Sequence, residues 1–173
     1  KKWFYIDDSN KKFSINKETF EIDQRTEIKF DCIFNAIHGS PGENGIMQNY
    51  FSKHGIPITG CGSKESELTF DKIKCLKFLR NKGIKTAKSI SVKKNIKIKS
   101  EKIQEEIGFP CFIKASKSGS SFGVYKVYNQ EEFIDCLNSA FEIDDEILVE
   151  TFIEGREFSI GVLMYNNKVT VLP

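Results

Sequence analysis

The sequence predicts an α/β fold over its first third and an α+β fold over the rest. Residues 30–37 form a mostly apolar run of strand length, which is typical of a strand buried on both faces of a parallel sheet. From residue 69 onward, segments with helical periodicity alternate with short apolar runs that suit strands. Asn166-Asn167 lies between two such runs and indicates a tight hairpin turn. The first third and the remainder therefore belong to different structural classes.

The other elements of the first third are short. Two strands flank a polar turn at residues 7–10, and the apolar run at 30–37 ends in a glycine-rich loop at 38–45. A short helix follows this loop and stops at Gly55. The remaining strands are predicted at residues 3–6, 12–15 and 56–59.

Three helices are predicted beyond the first third. The first begins near Thr69 and stops at Gly83, with apolar residues at three-residue spacing. A short second helix is capped by Ser100, and Asn129 with Glu132 forms a capping-box-like start to the third. The strands between and after them are predicted at residues 88–92, 109–114, 124–128, 146–152, 158–164 and 168–172.

Composition excludes several classes of protein. The 26 Lys+Arg nearly cancel 24 Asp+Glu and leave a formal charge of +2, which argues against a polybasic nucleic-acid binder. No apolar stretch approaches the ~18 residues of a membrane span. The five cysteines form no C-x-x-C pair, so we interpret them as reduced thiols in a cytoplasmic protein. The chain lacks an initiator Met and stops inside an apolar run, so we expect it to be incomplete at both ends.

The loop at residues 116–123 is the most informative segment. It joins two apolar runs and offers two glycines, four serines and a lysine, directly after Lys114. Glycines let backbone N–H groups approach an anion closely, and the hydroxyls and lysine add donors and charge. The pattern is not a P-loop, and an ordinary hairpin loop explains the composition equally well.

Five other polar residues are weak candidates when each is taken alone. His38 and Glu43 follow the predicted buried strand, where ligands gather in parallel sheets, but a lone histidine is usually a surface group. Lys72 lies on a helix rich in lysine and by itself is a solvated charge. Glu150 and Glu157 bracket a turn and could accept from an adenine or a ribose, although most such glutamates are rim charges.

Six short motifs occur in a fixed order from Asp31 onward. They are His38-Gly39-x-x-Gly42-Glu43-x-Gly45 with Gln48, Gly55-Ile56-Pro57-x-Thr59-Gly60, Asp71-Lys72, Phe112-Ile113-Lys114, Gly119-Ser120-Ser121-x-Gly123-Val124, and Val149-Glu150 with Ile153-x-Gly155-Arg156-Glu157. In this order they resemble the D-alanine–D-alanine ligase family of the ATP-grasp superfamily.

The resemblance implies a fold, a reaction and partners. The fold would be ATP-grasp, with a partial parallel-sheet substrate domain (1–62), the central subdomain (63–149) and the start of a C-terminal subdomain (150–173). ATP would phosphorylate one D-alanine, and the amine of a second would attack the acyl phosphate, giving D-alanyl-D-alanine for peptidoglycan synthesis. Charge developing on the phosphoryl group calls for lysines, backbone donors and magnesium. A cytoplasmic homodimer is implied, with no nucleic-acid or membrane partner.

The resemblance also implies roles for individual residues. His38 would lie near the first D-alanine, Glu43 would stiffen its loop, and Ser120 would help to position the amine substrate. The nucleotide-binding residues would be Lys72, Lys114, Gly119, Ser120, Ser121, Glu150, Thr151, Ile153 and Glu157. Ligands for Mg²⁺ or Mn²⁺ and a catalytic arginine would lie outside this sequence, so we expect it to be inactive alone.

Three alternatives remain open at this stage. The second substrate could be D-lactate or D-serine, because its pocket would lie largely outside the sequence. The chain could also be a non-catalytic nucleotide-binding module. A structural α/β domain without a ligand is the least specific interpretation.

Overall fold

A computed structural model describes residues 2–96 and 98–172, and two hairpins and a four-stranded sheet account for its strands. The terminal residues Lys1 and Pro173 lie outside the described residues. The elements in chain order are β1 (Trp3–Ile6), β2 (Lys12–Ile15), α1 (Ile46–Lys53), α2 (Ser63–Phe70), α3 (Lys72–Asn81), β3 (Ser89–Lys93), α4 (Ser100–Glu106), β4 (Cys111–Ala115), β5 (Val124–Val127), α5 (Gln130–Phe141), β6 (Glu146–Thr151), β7 (Val162–Tyr165) and β8 (Lys168–Val171).

The central sheet separates a buried face from an open one. Its order is β3-β6-β4-β5 and every neighbouring pair is antiparallel. Ile113 lies opposite Val149 on one side and Tyr125 on the other, and this face packs on α4 and α5. Side chains alternate along a strand, so the other face carries a different set. That set includes Phe112, Lys114, Lys126 and Glu150.

Helix α5 covers the buried face of the sheet. Its start and its apolar stripe both come from residues close together in the chain. The Asn129 side chain accepts a hydrogen bond from the Glu132 amide at 3.0 Å, which satisfies a free donor of the first turn. Phe133, Leu137 and Ala140 follow at helical spacing and are buried against the sheet. The predicted cap is confirmed.

The helix predicted from Thr69 is two helices in the structure. Residues 63–70 are already helical, and the chain breaks at Asp71, whose backbone is extended and whose Oδ1 accepts from the Lys74 amide at 3.1 Å. The segment 63–70 is largely polar, so apolar periodicity could not predict it. The prediction of one helix was therefore wrong in its start and in its continuity.

The predicted buried strand at residues 30–37 was wrong. Among the described residues, this segment pairs only through a single parallel bridge between Ile33 and Ile58, and the strand predicted at 56–59 is reduced to the same bridge. Phe34 is 80% exposed, so its face is not covered as a parallel-sheet interior requires. An apolar run does not become a regular strand without a neighbouring strand that takes up successive backbone groups.

Smaller differences concern element ends. Ser100 is the first residue of α4 rather than its cap, because Lys99 holds the cap position with no side-chain hydrogen bond. The strand predicted over 158–164 begins only at Val162. The predicted turn between β7 and β8 is confirmed, with Asn166 and Asn167 at φ 49° and 57°, as a tight hairpin requires.

In the described part of the chain, no helix combines the length and the apolar character needed to span a bilayer.

Candidate functional site

The glycine-rich loop at residues 38–45 (the first loop) and the glycine–serine loop at 116–123 (the second loop) contact each other. An atom added as Cβ on Gly119 would lie 2.8 Å from Glu43 Oε2 and 3.5 Å from the Gly39 Cα. Glu43 Oε2 also accepts a hydrogen bond from the Gly39 amide at 2.8 Å, so the carboxylate is held in place at this contact. An open cleft of about 480 Å³ lies beside it, between Gln48 and Lys72. His38, next to Gly39, is exposed.

The first of these loops is fixed by two side-chain hydrogen bonds to its backbone. The Gly42 carbonyl accepts hydrogen bonds from Asn35 Nδ2 and from Gln48 Nε2, both at 2.8 Å. A Cβ at Gly42 would meet the Ile37 carbonyl oxygen at 2.3 Å, so only glycine fits here. Two side-chain amides therefore fix the loop that carries Glu43.

Helix α3 is anchored to the start of the second loop by a buried pair. Ser116 Oγ donates to Asp71 Oδ1 at 2.9 Å, and both residues are buried. The Ile73 amide donates to Ser116 Oγ at 3.3 Å, and the Lys72 amide donates to the Ser116 carbonyl at 3.1 Å. These contacts place Lys72, the first residue of α3, beside the loop.

The ammonium of Lys72 is held by the loop itself. Lys72 Nζ donates to the Ala115 carbonyl at 3.0 Å, to the Ser118 carbonyl at 2.8 Å and to Ser118 Oγ at 3.2 Å. Burial lowers the pKa of Lys72, and the nearby charge of Lys114 lowers it further, against the opposing effect of nearby carboxylates. Two lysines distant in sequence thus lie close enough for their charges to interact.

Lys114 lies on the open face of the sheet and forms an ion pair with Glu150. Phe112 lies opposite Glu150 and Lys114 opposite Leu148, so Lys114 and Glu150 are diagonal neighbours on one face of β4 and β6. The Lys114 ammonium also lies 5.0 Å from the centre of the Phe112 ring. The antiparallel register creates a charged and aromatic patch on the open face.

The tip of the second loop is an exposed turn with a strained backbone. Ser120 and Ser121 have φ of 50° and 58°, in the left-handed region that L-residues other than Gly, Asn and Asp adopt rarely. The Phe122 amide donates to the Gly119 carbonyl at 2.9 Å and closes the turn. Both serine hydroxyls stand at the surface, where a ligand could reach them.

The predicted adenine segment, which begins with the last two residues of β6, is only partly assembled with the other predicted site residues. Glu150 faces Lys114, whereas the Thr151 hydroxyl donates to the Ile107 carbonyl at 3.0 Å and its amide to the Lys88 carbonyl at 2.9 Å. Ile153 is exposed, and so is Glu157, which lies beyond the end of the sheet. The structure brings Lys72, Lys114 and Glu150 together with the loop, and it leaves Glu157 and His38 at the surface.

Sequence reasoning missed the partners of four residues in this arrangement. The motif Asp71-Lys72 was noticed, but the anchoring of Asp71 to Ser116 was not, although an Asp before a helix start is a recognisable N-cap signal. Lys126 and Phe152, which contact each other on the open face, carried no sequence signal. Their contact depends on the strand register.

The described residues do not fit a magnesium site. Among residues 2–96 and 98–172 no cluster of three or more His, Cys, Asp or Glu side chains could hold a metal ion. Of the carboxylates near the loop, Glu150 is paired with Lys114, and Glu43 accepts from the Gly39 amide. No reaction step at this site is therefore assigned to a metal.

Comparison with known proteins gives consistent results. Residues 78–173 match the family model described as D-ala D-ala ligase C-terminus. A D-alanine--D-alanine ligase from Christiangramia forsetii is 44% identical over 172 residues, which is 99% of this chain and 53% of that protein. The crystal structure of the VanG D-Ala:D-Ser ligase from Enterococcus faecalis is 32% identical, with a TM-score of 0.79 over 95% of this chain and 49% of that one. A Bacillus anthracis D-alanine--D-alanine ligase complexed with ATP is 32% identical, with a TM-score of 0.65 over 76% of this chain and 43% of that one.

The chain spans about half the length of the curated relatives it matches. The likeness in structure confirms the expected ATP-grasp fold, with its antiparallel central sheet and flanking helices. Since the family model covers residues 78–173 of 173, and the similarity to curated ligases extends over 99% of the chain, the chain belongs to the D-alanine–D-alanine ligase family.

Proposed function

We propose that this chain supplies the ATP-binding part of a ligase that joins two D-alanines through an acyl phosphate. The observation that carries the proposal is the convergence of Lys72, Lys114 and the glycine–serine loop beside an open sheet face. A carboxylate is a poor acyl donor because oxide is a poor leaving group, and phosphorylation removes this barrier. Phosphoryl transfer then depends on positioning and on compensation of negative charge, and this cluster provides both.

The phosphates would bind where Lys72 and Lys114 face the loop. Lys72 would exchange its bonds to the Ser118 and Ala115 carbonyls for phosphate oxygens, and Lys114 would turn from Glu150. Gly119, Ser120 and Ser121 would cover the phosphates with backbone amides and hydroxyls. The exchange keeps each ammonium paired, because an unpaired charge in a half-buried site is costly.

The base and ribose would lie towards the end of β6. Glu150, once released by Lys114, would accept from the adenine amino group, and the backbone of Thr151 and Ile153 would meet the ring edge. Glu157 would accept from the ribose hydroxyls. The Thr151 amide already donates to Lys88, so the Thr151 carbonyl is the group left to serve the base.

The substrate end would lie at the contact between the two loops. His38 would lie near the first D-alanine, Glu43 would hold its loop through Gly39, and Ser120 would orient the incoming amine. The braced Gly42 and the contact of Gly119 with Glu43 support this placement. Since the described carboxylates form no metal cluster, magnesium ligands and the remaining catalytic groups would come from other parts of the enzyme.

The wider setting follows from the family. We propose a cytoplasmic homodimer that contributes to peptidoglycan synthesis, with domains at 1–62, 63–149 and 150–173. Helix α2 begins at Ser63, and this supports a boundary at that position.

A ligase that joins D-alanine to D-serine is the second candidate, favoured by the 32% identity to the VanG D-Ala:D-Ser ligase. A D-lactate ligase and a non-catalytic module are further alternatives. The test is ATP-dependent phosphate release by the full-length protein, given D-alanine alone or D-alanine with D-serine or D-lactate. Turnover with D-alanine alone supports the main proposal, and turnover only with a second acid supports the corresponding alternative. ATP binding without turnover on any substrate would indicate a non-catalytic module.

A further inference from the structure

Lys126 and Phe152 form a cation–π contact on the open face of the central sheet. The Lys126 ammonium lies 3.7 Å from the centre of the Phe152 ring and 5.2 Å from that of Tyr128. The Phe152 ring in turn lies 6.0 Å from the Phe112 ring, at an interplanar angle of 49°. The Lys126 ammonium, the Phe152 ring and the Phe112 ring therefore follow one another across this face.

Lys126 differs from its neighbour Lys114 in its partners. Lys114 is paired with the Glu150 carboxylate, whereas within the described residues Lys126 has no carboxylate oxygen within 4.0 Å. A lysine on a strand that is partly buried and not paired with an acid is stabilised here by the π-face of Phe152. Lys126 is therefore held on this face by an aromatic ring, whereas Lys114 is held by a carboxylate.

The strand register places Lys126 away from the phosphate-binding cluster. Lys126 lies opposite Phe112, which lies opposite Glu150, whereas Lys114 lies two residues further along β4 towards the loop. Two residues of strand separate these positions by roughly 7 Å. Lys126 therefore lies in line with Glu150 and adjacent to Phe152, at the opposite end of the patch from Lys72.

We propose that Lys126 is a positioning residue for the nucleobase, acting through Phe152. The contact fixes the chain just after β6, where the Phe152 amide donates to the Pro110 carbonyl at 3.2 Å. Residues 150–153 are thereby held in the conformation that presents their carboxylate and backbone groups to the base. The inference rests on the proposed function, because it needs a nucleotide on this face.

The position of Lys126 predicts how the loss of affinity in a Lys126 variant depends on the number of phosphates in the ligand. The substitution Lys126→Met removes the charge and keeps the aliphatic part of the side chain. Segment 150–153 then loses the cation–π contact that positions it. Binding of adenosine, AMP, ADP and ATP should weaken by the same factor, about three- to tenfold, because the loss is at the base and not at the phosphates. Lys114→Met is the matched comparison, since its loss should grow as phosphates are added.

The experiment measures dissociation constants for these four ligands by calorimetry on the full-length protein, for wild type and each variant. Lys126→Arg should restore affinity, because a guanidinium also binds an aromatic face. Phe152→Leu should mimic Lys126→Met, and the double variant should be no worse than either single one.

Each outcome decides the inference. An equal loss across the series with rescue by Arg supports it. A loss that grows with phosphate number would assign Lys126 directly to the phosphates and overturn it. Unchanged affinity with a lowered melting temperature would show a purely structural contact and would also overturn it. Failure of the wild type to bind any of the four ligands would instead refute the proposed function.

Discussion

The charge of Lys72 is sensitive to its surroundings. Its ammonium is surrounded by loop carbonyls and lies near Lys114, and burial with this second charge lowers its pKa below the usual 10.5. The lysine therefore loses its proton at a lower pH in the free protein than in the unfolded chain. The phosphate contact proposed for Lys72 requires the protonated form.

ATP affinity is accordingly expected to fall as pH rises through the lowered pKa of Lys72, starting below pH 10.5. The Lys72→Arg variant keeps its charge throughout this range, so its affinity should fall less steeply. Dissociation constants measured from pH 7 to 10.5 for both proteins check this expectation. Parallel pH profiles would contradict a role for the Lys72 charge in phosphate binding.

Lys114→Met should weaken ATP binding about 10- to 100-fold, because a charge-assisted hydrogen bond to phosphate is lost. It also leaves Glu150 without its partner. The matched control is Lys93→Met on the same sheet, which removes an equal charge from an ion pair with Glu146, where Nζ and Oε1 are 3.3 Å apart. Equal ATP affinity in wild type and Lys114→Met would remove Lys114 from the site.

The residue types of the site were predictable, but their partners were not. Lys114 and the loop at 116–123 stood out because glycine, serine and lysine together suit an anion. The Lys114–Glu150 pair joins residues 36 positions apart, and only the register of β4 against β6 brings them together.

At the scale of elements, helix α5 is the clearest case of local encoding. The Asn129 Oδ1 accepts from the Glu132 backbone amide and caps the first turn, and Asn129 Nδ2 donates to Glu132 Oε1 at 3.0 Å. The buried stripe of Phe133 and Leu137 then sets its orientation on the sheet. Cap and stripe are both short-range patterns, so the sequence predicted this helix correctly.

Asn129→Ala should lower the free energy of unfolding by about 1 kcal/mol, because the Glu132 amide loses its acceptor. Asn129→Ser keeps an acceptor for the Glu132 amide without placing a second carboxylate beside Glu132, so it serves as the control and a smaller loss is expected. Urea or thermal unfolding of the two variants measures the difference. Equal destabilisation by Ala and Ser would show that the hydrogen bond to the Glu132 amide contributes nothing.

Elements that depend on distant partners were predicted less well. Residues 30–37 have the composition of a buried strand, yet only one bridge to Ile58 forms. Residues 63–70 have no apolar periodicity, yet they form a helix that packs beside α3. In both cases tertiary contacts, and not the local pattern, decided the outcome.

At the scale of the whole molecule, the cysteines report on the integrity of the fold. Cys32 and Cys61 are exposed, whereas Cys111 is fully buried in the core beneath α5. Burial raises the pKa of Cys111 from 9.0 to about 11, and nearby Cys136 adds to the shift. At pH 8 the thiolate fraction of Cys111 is then about one in a thousand.

Alkylation with iodoacetamide at pH 8 should therefore label Cys32 and Cys61 quickly and Cys111 only after unfolding in urea. The raised pKa means that Cys111 stays protonated until the pH approaches 11, whereas an unfolded cysteine ionises near 9. Peptide mass spectrometry of native and unfolded samples measures each site. Rapid native labelling of Cys111 would contradict the buried core described for the central sheet.

The sequence by itself determined the family, the order of the motifs and the elements whose signals are local. The capped helix α5, the β1–β2 and β7–β8 hairpins and the glycine–serine loop follow from patterns within a few residues. Tertiary structure alone decided which groups meet. Ser116 binds Asp71, Lys72 donates to Ser118 in the loop, and Lys126 lies over Phe152. The physical reason is that such contacts depend on strand register and helix docking, which are set by the packing of the whole sheet and not by neighbours in the chain.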